Sequence, residues 1–332
     1  MKDIVIVIGS NSFSGSSFVS YCLHKGHQVI GLSRSQEPAR PFLSYKWLDK
    51  DLLSRFSFCQ MDLNHDLDKM LQVISDSQAR YVVNFAAQSM VGQSWDEPQD
   101  WFRTNAVATT SLFNGLSKNK ALRKYIHIST PECYGSCEGM VTEHYKFMPS
   151  TPYAASRAAG DLSLLTYIRQ KNLPAVITRA ANVYGPGQGL YRIIPKAILS
   201  IMNQKIIPLH GGGLSERSFI HIDDVCDATY NLFESGIVGD SYHISGKDTV
   251  TIKTLVEMIC NQLNVSFNSS VELAPDRLGK DQAYLLDSEK IRKLTGWSPK
   301  VALDAGLGEV IAWIRKNYES LKNMSLDYHH KP

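Results

Sequence analysis

Short apolar runs rich in valine and isoleucine alternate with longer helical stretches over residues 1–181, and this alternation strongly constrains the fold. It predicts βαβ units, since two parallel strands need a crossover segment that is usually a helix. We therefore predict an α/β fold with a doubly wound parallel sheet, whose ligands bind at the carboxyl edge of the strands. The predicted strands lie near Ile4–Ile8, Gln28–Leu32, Ser57–Met61, Tyr81–Phe85, Tyr125–Ser129 and Ala175–Thr178.

Helices are predicted between these strands, notably over Asp96–Asn119 and Pro152–Lys171. Thr151 can cap the second helix, and Pro152 suits a first helical position, where no backbone donor is needed. Two later helices are expected near Ile252–Leu263 and Leu303–Tyr318.

The alternation of strands and helices ends after Asn182, where the sequence is less regular and contains clusters of glycine. This change predicts a smaller C-terminal lobe that covers the carboxyl edge of the sheet. We expect the first domain over 1–181 with a return at 218–245, and the lobe over 182–217 and 246–325. Tyr328–Pro332 is predicted to be a frayed tail.

Composition narrows the classes of ligand. Lys and Arg total 35 against 32 Asp and Glu, a balance of +3 that gives no support to nucleic-acid binding. No apolar stretch reaches the roughly 20 residues that span a bilayer, and no signal-peptide pattern is evident, so a cytoplasmic protein is expected. The six dispersed cysteines form no C-x-x-C pair and predict reduced thiols without a metal site. A small ligand is expected.

A glycine-rich turn, Gly9-Ser10-Asn11-Ser12-Phe13-Ser14-Gly15, follows the first predicted strand and opens a helix. In that context backbone N–H groups and a helix N-terminus point at a pyrophosphate. Ser12 stands where a middle glycine is expected, and a tight turn without a ligand is the alternative. The cofactor candidates here are Gly9, Asn11, Ser12, Phe13, Ser14 and Gly15.

The end of the second predicted strand indicates which dinucleotide binds. An NAD enzyme commonly places a carboxylate there for the adenosine ribose, but this chain reads Gly31-Leu32-Ser33-Arg34-Ser35. Arg34 can pair with a 2′-phosphate, and Ser33 and Ser35 can donate to it, so NADP is predicted, with NAD as the alternative. Arg34 would otherwise be a solvent-exposed loop residue.

Tyr153 and Arg157 lie four residues apart and so share one face of their predicted helix. A tyrosine can remove a hydroxyl proton while hydride leaves for a nicotinamide, if a nearby cation favours the phenolate. Thr130 and Glu132 follow the fifth predicted strand, at the same edge of the sheet. The structural alternatives are a surface Tyr/Arg pair and a loop salt bridge of Glu132.

Three segments, Gly9–Gly15, Ser129–Glu132 and Tyr153–Arg157, together resemble the extended short-chain dehydrogenase/reductase family. Within it the chain is similar to the NAD(P)-dependent nucleotide-sugar epimerase/dehydratase group. Arg179–Gln188, Arg217–Val225 and the segment from Asp276 to Pro299 also match, so the resemblance runs from Ile4 to Trp313. It implies a Rossmann-like fold whose smaller lobe binds a nucleotide sugar. Ser12, Pro131 and Arg157 depart from the usual Gly, Asp or Ser, and Lys.

The resemblance also implies residue roles. Thr130 would position the sugar hydroxyl, and Glu132 would abstract the carbon-5 proton. Because Pro131 replaces an acidic or hydroxyl neighbour, Glu132 would have to act as base and acid in turn. Cys133 is expected to pack and not to act as a nucleophile. The remaining candidates are Asp62, Leu63, Ala86, Ala87, Gln88, Tyr153 and Arg157 for the cofactor, and Ser89, Asn182, Arg192, Arg217 and Arg277 for the substrate.

These assignments predict an NADP-dependent nucleotide-diphosphate-hexose 4,6-dehydratase that forms a 4-keto-6-deoxy sugar. The alternatives are an epimerase or 4-keto reductase of the same fold, and a non-catalytic cofactor-binding regulatory protein. Glu132 favours elimination, because a carbon-4 epimerase needs no carbon-5 base. Gln282 and Ala283 replace basic residues seen in some thymidine-linked relatives, which leaves the base open.

A homodimer or higher homo-oligomer is also implied by the resemblance, through the helices predicted over Asp96–Asn119 and Pro152–Lys171. Their apolar positions exceed what one sheet-facing stripe requires. Packing against the protein's own sheet is the alternative. The positions concerned include Leu112, Leu116, Leu162, Leu165 and Ile168.

Overall fold

A computed structural model describes residues 2–246, 248–275 and 285–331. Its strands are β1 (Ile4–Ile8), β2 (Gln28–Ser33), β3 (Phe56–Gln60), β4 (Tyr81–Asn84), β5 (Lys124–Ile128), β6 (Met140–Val141), β7 (Ala175–Ala180), β8 (Asn182–Tyr184), β9 (Ile207–His210), β10 (Glu216–His221), β11 (Ser241–Ile244), β12 (Thr249–Thr251), β13 (Val271–Ala274) and β14 (Leu285–Leu286).

Helices connect most of these strands. They are α1 (Phe13–His24), α2 (Lys50–Leu53), α3 (Leu67–Asp76), α4 (Pro98–Phe102), α5 (Thr109–Leu116), α6 (Pro152–Lys171), α7 (Ile193–Met202), α8 (Ile222–Ser235), α9 (Ile252–Leu263), α10 (Phe267–Ser270), α11 (Glu289–Thr295), α12 (Leu303–Lys316) and α13 (Tyr318–Leu321). A π-helical segment, Arg103–Ala108, joins α4 to α5.

Seven strands form a parallel sheet in the order β11-β7-β5-β4-β1-β2-β3, which confirms the predicted doubly wound α/β fold. Side chains alternate between the two faces of β1. Val5 and Val7 pack with α1 and α8 on one face, whereas Ile6 and Ile8 pack with α3 and α5 on the other. The order reverses between β1 and β4, and in such folds the crevice at that point receives the ligand.

The helix α6 has the predicted bounds, and Thr151 Oγ1 accepts a hydrogen bond from Ala154 N at 3.1 Å, as expected for a cap. One helix was predicted over Asp96–Asn119, and a continuous helical stretch covers residues 98–116 as α4, the π-helical segment and α5. The sequence did not predict the π turns, which add a residue to the helical repeat and rotate the following side chains.

The later part of the chain builds a second core around α7, α9 and α12, with members such as Leu199, Ile259 and Ile314. The helix predicted over Leu303–Tyr318 ends earlier, at Lys316, and is followed by the short α13. Between these parts, α8 packs on α1 through Val225 and Cys226. The strand β11 then extends the main sheet beside β7.

Most of the apolar residues proposed for an intersubunit surface pack inside the protein's own core. Leu112 and Leu116 are fully buried against the main sheet, and Leu165 and Ile168 pack on the same cluster. Leu162 is the one of the five that is exposed, with 55% of its surface accessible. The sheet therefore buries more apolar residues of these two helical regions than the sequence suggested.

The prediction of a frayed C-terminal tail was wrong for the described part of that tail. The ring of His330 stacks on Trp101 with centroids 4.7 Å apart, and Gln88 Nε2 donates to the Lys331 carbonyl at 2.7 Å. All six cysteines are free thiols, as predicted. Among the described residues, we find no helix with the length and apolarity needed to cross a membrane.

Candidate active site

Two glycines of the turn after β1 have positions that no other residue could occupy without a shift. Gly9 has φ +81°, and a Cβ there would lie 2.6 Å from Ala86 N. A Cβ on Gly15 would lie 2.1 Å from the Gly9 carbonyl oxygen. The turn therefore packs tightly against the segment after β4. Its opposite side carries no side chain at Gly9, so a ligand at the sheet edge can come close to the backbone there.

Ser12 replaces the expected middle glycine without strain, because its backbone is extended with φ −74°. It is the N-cap of α1: Gly15 N donates to Ser12 Oγ at 3.0 Å, and that hydroxyl donates to the Gly9 carbonyl at 2.7 Å. The N–H groups of Phe13 and Ser14 belong to the first helical turn and have no intrahelical partner. They can face an anion, as a pyrophosphate requires.

A cavity of about 560 Å³ lies in front of this turn. Its volume suits an organic ligand. Phe13, Ser14 and Gly15 form the first turn of α1 beside it. Eleven of the sequence-predicted cofactor residues line the cavity, namely Gly9, Asn11, Ser12, Ser33, Arg34, Ser35, Asp62, Leu63, Ala86, Ala87 and Gln88.

Arg34 lines the part of the cavity beyond β2, and the neighbouring acid Glu37 is engaged elsewhere. The Glu37 carboxylate accepts a hydrogen bond from Tyr45 Oη at 2.9 Å and pairs with Lys46 Nζ at 2.9 Å. Asn11 Nδ2 donates to the Ser35 carbonyl at 2.8 Å, which ties the glycine-rich turn to this segment. The arrangement places a cation at the position where the sequence predicted recognition of a 2′-phosphate.

Thr130, Glu132 and Tyr153 come together at the carboxyl end of β5. Thr130 caps a 3₁₀ turn, Pro131–Tyr134, and its Oγ1 accepts a hydrogen bond from Glu132 N at 3.3 Å. Its side chain also lies close enough to Tyr153 to lower the pKa of that phenol. Pro131 takes the first position of the turn, where its missing N–H costs nothing. The site therefore contains a hydroxyl, a phenol and a carboxylate in one place.

Burial raises the pKa of Tyr153 above its ordinary value, and the Glu132 carboxylate raises it further. The Arg157 cation, the Thr130 side chain and Arg192 act in the opposite direction. Arg157 thus lowers the pKa of Tyr153, as predicted, but its effect is smaller than the increase caused by burial and Glu132.

Arg157 is almost fully buried, and its Nη2 donates to the Ile128 carbonyl at the end of β5. One turn further along α6, Asp161 accepts from Arg179 Nη2 and from Ser129 Oγ, each at 2.7 Å. Burial lowers the pKa of the neighbouring His127, so this imidazole is neutral near pH 7. Two guanidinium groups and one carboxylate leave one net positive charge beneath the catalytic segment.

Cys133 is fully buried, and burial raises the pKa of its thiol to about 12. A thiol with that pKa is protonated near neutral pH and is a poor nucleophile. Cys133 packs with Tyr134 and Val141, as expected from the sequence.

Asn105 is a positioning residue that sequence reasoning missed. It lies in the π-helical segment, and its Oδ1 accepts from Gln88 N at 2.9 Å while its Nδ2 donates to the Gln88 carbonyl and to Ser156 Oγ, each at 2.9 Å. The side chain thus joins the cavity wall after β4 to the helix of Tyr153. The available signal was an asparagine, which disfavours helix interiors, in the middle of a predicted helix.

Three of the candidate substrate residues, Asn182, Arg192 and Arg217, lie in or beside β8, α7 and β10. Asn182 begins β8, and its Nδ2 donates to the Ser218 carbonyl at 3.1 Å, next to Arg217 on β10. Arg192 is the N-cap of α7 and lies close enough to Tyr153 to affect its charge state. Ser89 follows Gln88 on the segment that lines the cavity. Arg277, Gln282 and Ala283 lie outside the described residues.

Comparisons with known proteins agree with this geometry. The family model for GDP-mannose 4,6 dehydratase matches residues 6–310. A dTDP-glucose 4,6-dehydratase from Streptomyces niveus is 34% identical over an alignment that covers 96% of each chain.

Solved structures show the same fold. A dTDP-glucose 4,6-dehydratase from Streptomyces venezuelae, with NAD bound, gives a TM-score of 0.88 at 30% identity and covers 96% of this chain and 98% of its own. A UDP-glucuronic acid 4-epimerase from Bacillus cereus, with UDP-glucuronic acid and NAD, gives 0.86 at 27% identity, covering 95% and 100%. The chain therefore belongs to the GDP-mannose 4,6-dehydratase family, within the extended short-chain dehydrogenase/reductase enzymes that act on nucleotide sugars.

Proposed function

We propose that this protein is an NADP-dependent nucleotide-diphosphate-hexose 4,6-dehydratase that forms a 4-keto-6-deoxy sugar. The observation that carries the proposal is the convergence of Thr130, Glu132 and Tyr153 at the carboxyl end of β5. A carboxylate beside the catalytic phenol is what an elimination requires and what an oxidation alone does not. The dehydratases among the relatives support the same reaction.

A nicotinamide dinucleotide, held by the turn after β1 and the segments after β2 and β4, would supply the hydride acceptor for carbon 4 of the hexose and the hydride donor for carbon 6. Tyr153 takes the proton of the 4-hydroxyl group while Thr130 holds that hydroxyl in place. The 4-keto group makes the carbon-5 proton acidic, and Glu132 removes it. The carbon-6 hydroxyl then leaves as water with the proton that Glu132 gained, since the Pro131 side chain has no proton to give. Carbon 5 takes up a proton when carbon 6 is reduced, and the proton that Tyr153 took from the 4-hydroxyl group balances it.

The charges of the site fit this sequence of steps. The Tyr153 phenolate and the Glu132 carboxylate are both anions, and each disfavours the other. The net positive charge of the buried cluster beneath them, with Arg157 nearest to Tyr153 in the sequence, compensates for part of that repulsion. We expect Tyr153 to lose its proton only as the site fills, because burial keeps its pKa high.

A nicotinamide dinucleotide is the cofactor that the relatives hold, and we propose NADP as the preferred form here. Arg34 supports this choice because it lines the cavity beyond β2, while Glu37 is engaged with Tyr45 and Lys46. A 2′-phosphate next to Arg34 would gain a charge-assisted hydrogen bond, which the 2′-hydroxyl of NAD cannot match.

Arg192 and Arg217, together with Asn182, are proposed to bind the diphosphate of the substrate, with Ser89 near the hexose. Arginine suits this role because its planar group can donate two hydrogen bonds to a phosphate. Arg192 also approaches Tyr153, so the same residue would connect the diphosphate to the reacting end of the sugar.

We also propose a homodimer formed by α4, α5 and α6. Val107 and Leu162 are exposed by 63% and 55%, and the hydrogen bond from Thr110 Oγ1 to Ser163 Oγ holds their two helical regions together. Trp95 and Phe102 add exposed apolar surface at the neighbouring turns. Such a patch commonly marks a protein–protein contact.

Mass spectrometry of a nucleotide-sugar panel tests the reaction. The purified chain is incubated with NADP or NAD and with UDP-, dTDP- and GDP-linked hexoses. Loss of one water from one substrate supports a 4,6-dehydratase and identifies the base. An isomer of unchanged mass, or a change of two hydrogens, would instead identify the epimerase or the 4-keto reductase. Cofactor binding without any conversion would indicate a regulatory protein.

A further inference from the structure

The C-terminal segment Ser325–Lys331, here called the strap, lies on the cofactor cavity. It leaves α13 in the second lobe and reaches the segment after β4 in the first domain. Four residues of the strap, Asp327, Tyr328, His329 and Lys331, line the same cavity as the glycine-rich turn and Arg34.

Specific contacts hold the strap at both ends. At the second lobe, Asp327 Oδ1 pairs with Lys196 Nζ at 3.2 Å, and the rings of Tyr328 and Tyr191 meet edge to face at 5.2 Å. At the first domain, the His330 ring stacks on buried Trp101 with an angle of 18° between the planes.

His330 is the anchor nearest the first domain. Its Nε2 lies 2.9 Å from Asp100 Oδ2, and both side chains of that pair are largely buried. The adjacent Lys331 carbonyl accepts from Gln88 Nε2, on the wall proposed to face the cofactor. The strap thus crosses the cleft and is fastened to each side of it.

We infer that the strap is an outer wall of the cofactor site, which retains the bound dinucleotide during turnover. The inference rests on the proposed function, because a dehydratase that returns its hydride must keep the same cofactor molecule between the two transfers. A segment that competed with the cofactor would fill the cavity, whereas about 560 Å³ stays open behind the strap. The site for the dinucleotide therefore includes Tyr328 and Lys331.

Release of the cofactor then requires the strap to open. Opening breaks the stack on Trp101 and the pair with Asp100, so a weaker anchor raises the fraction of open molecules and the dissociation rate in proportion. An aromatic stack and a largely buried hydrogen bond are together enough for a change of about tenfold.

The test is dissociation of NADPH and, in parallel, NADH from the full-length protein, followed by the fluorescence of the bound nucleotide after a chase with excess NADP. His330→Ala should release the nucleotide about tenfold faster. His330→Phe keeps the ring and should lie between the two, and Tyr328→Ala weakens the other end and should act like His330→Ala. The matched control is His24→Ala, an exposed histidine at the far end of α1.

Unchanged dissociation in both His330→Ala and Tyr328→Ala would overturn the inference. Slower dissociation would overturn it as well, since it would make the strap a competitor of the cofactor. Because no sugar is present, these outcomes are distinct from failure of the proposed function, which appears as cofactor binding without dehydration. A wild-type chain that bound neither nucleotide would overturn both.

Discussion

Asp161→Asn should strongly destabilise the protein, because it removes the carboxylate from the buried charge cluster. Asp161 is fully buried and accepts from Arg179 Nη2 and Ser129 Oγ, each at 2.7 Å. The amide has nearly the same shape but no charge, so the guanidinium groups of Arg179 and Arg157 lose this counter-ion. Removal of one partner of a buried ion pair costs about 3–5 kcal/mol. That is a large part of the roughly 5–15 kcal/mol by which a typical protein is stable.

Urea unfolding followed by tryptophan fluorescence measures the effect at pH 7. The matched control is Asp76→Asn, which removes the same charge from an exposed residue that accepts one hydrogen bond, from Gln72 Nε2. We expect the control to unfold close to the wild-type midpoint and Asp161→Asn to unfold at a clearly lower urea concentration.

The dependence on pH adds a second check. Burial opposes the ionisation of Asp161, but Arg179 and His127 hold the pKa of this carboxyl well below its usual range. A carboxyl whose pKa is depressed by folding stabilises the protein above its unfolded-state pKa of about 3.9, and this contribution declines as the pH falls further. The gap between wild type and Asp161→Asn should therefore be full at pH 7 and shrink below about pH 4. Equal midpoints for the two variants at pH 7, or a gap that stays constant down to pH 3, would refute the reasoning.

Three further predictions concern the proposed reaction and assembly. Arg34→Ala should weaken NADP binding by about tenfold to a hundredfold and NAD binding far less, because only NADP offers a phosphate to this cation; equal losses in calorimetry would remove the argument. Tyr153→Phe should stop hydride transfer, whereas Glu132→Gln should still allow reduction of the bound cofactor but slow water loss by about 10²–10⁴-fold. Exchange of a carbon-5 deuterium should slow with it, and near-normal dehydration by Glu132→Gln would assign the base elsewhere. Light scattering at micromolar concentration should show a dimer that Leu162→Glu disrupts and Leu273→Glu, at another exposed leucine, does not; a wild-type monomer would contradict the interface.

Local patterns in the sequence were enough to predict the fold class and the start of α6. The alternation of apolar runs and helices predicted the parallel sheet, since strand and helix periods are set by backbone geometry within a few residues. Thr151 and Pro152 predicted the start of α6 for the same reason. The expectation that Thr130 and Glu132 would lie at the carboxyl edge of the sheet needed only the end of the fifth predicted strand.

Tertiary structure decided features that depend on distant parts of the chain. Helix packing on the sheet pairs Asp161 with Arg179 and buries Leu112 in the protein's own core. Sequence periodicity alone does not specify how the helices pack.

The position of the strap is the clearest feature that the sequence alone could not predict. Gln88 and Lys331 are 243 positions apart, and no pattern near either residue signals their hydrogen bond. A short polar segment after the last helix is typical of a disordered tail, because by itself it buries too little surface to offset its loss of conformational entropy. Only the folded protein supplies Trp101, Asp100 and Gln88 as a surface on which that segment can order.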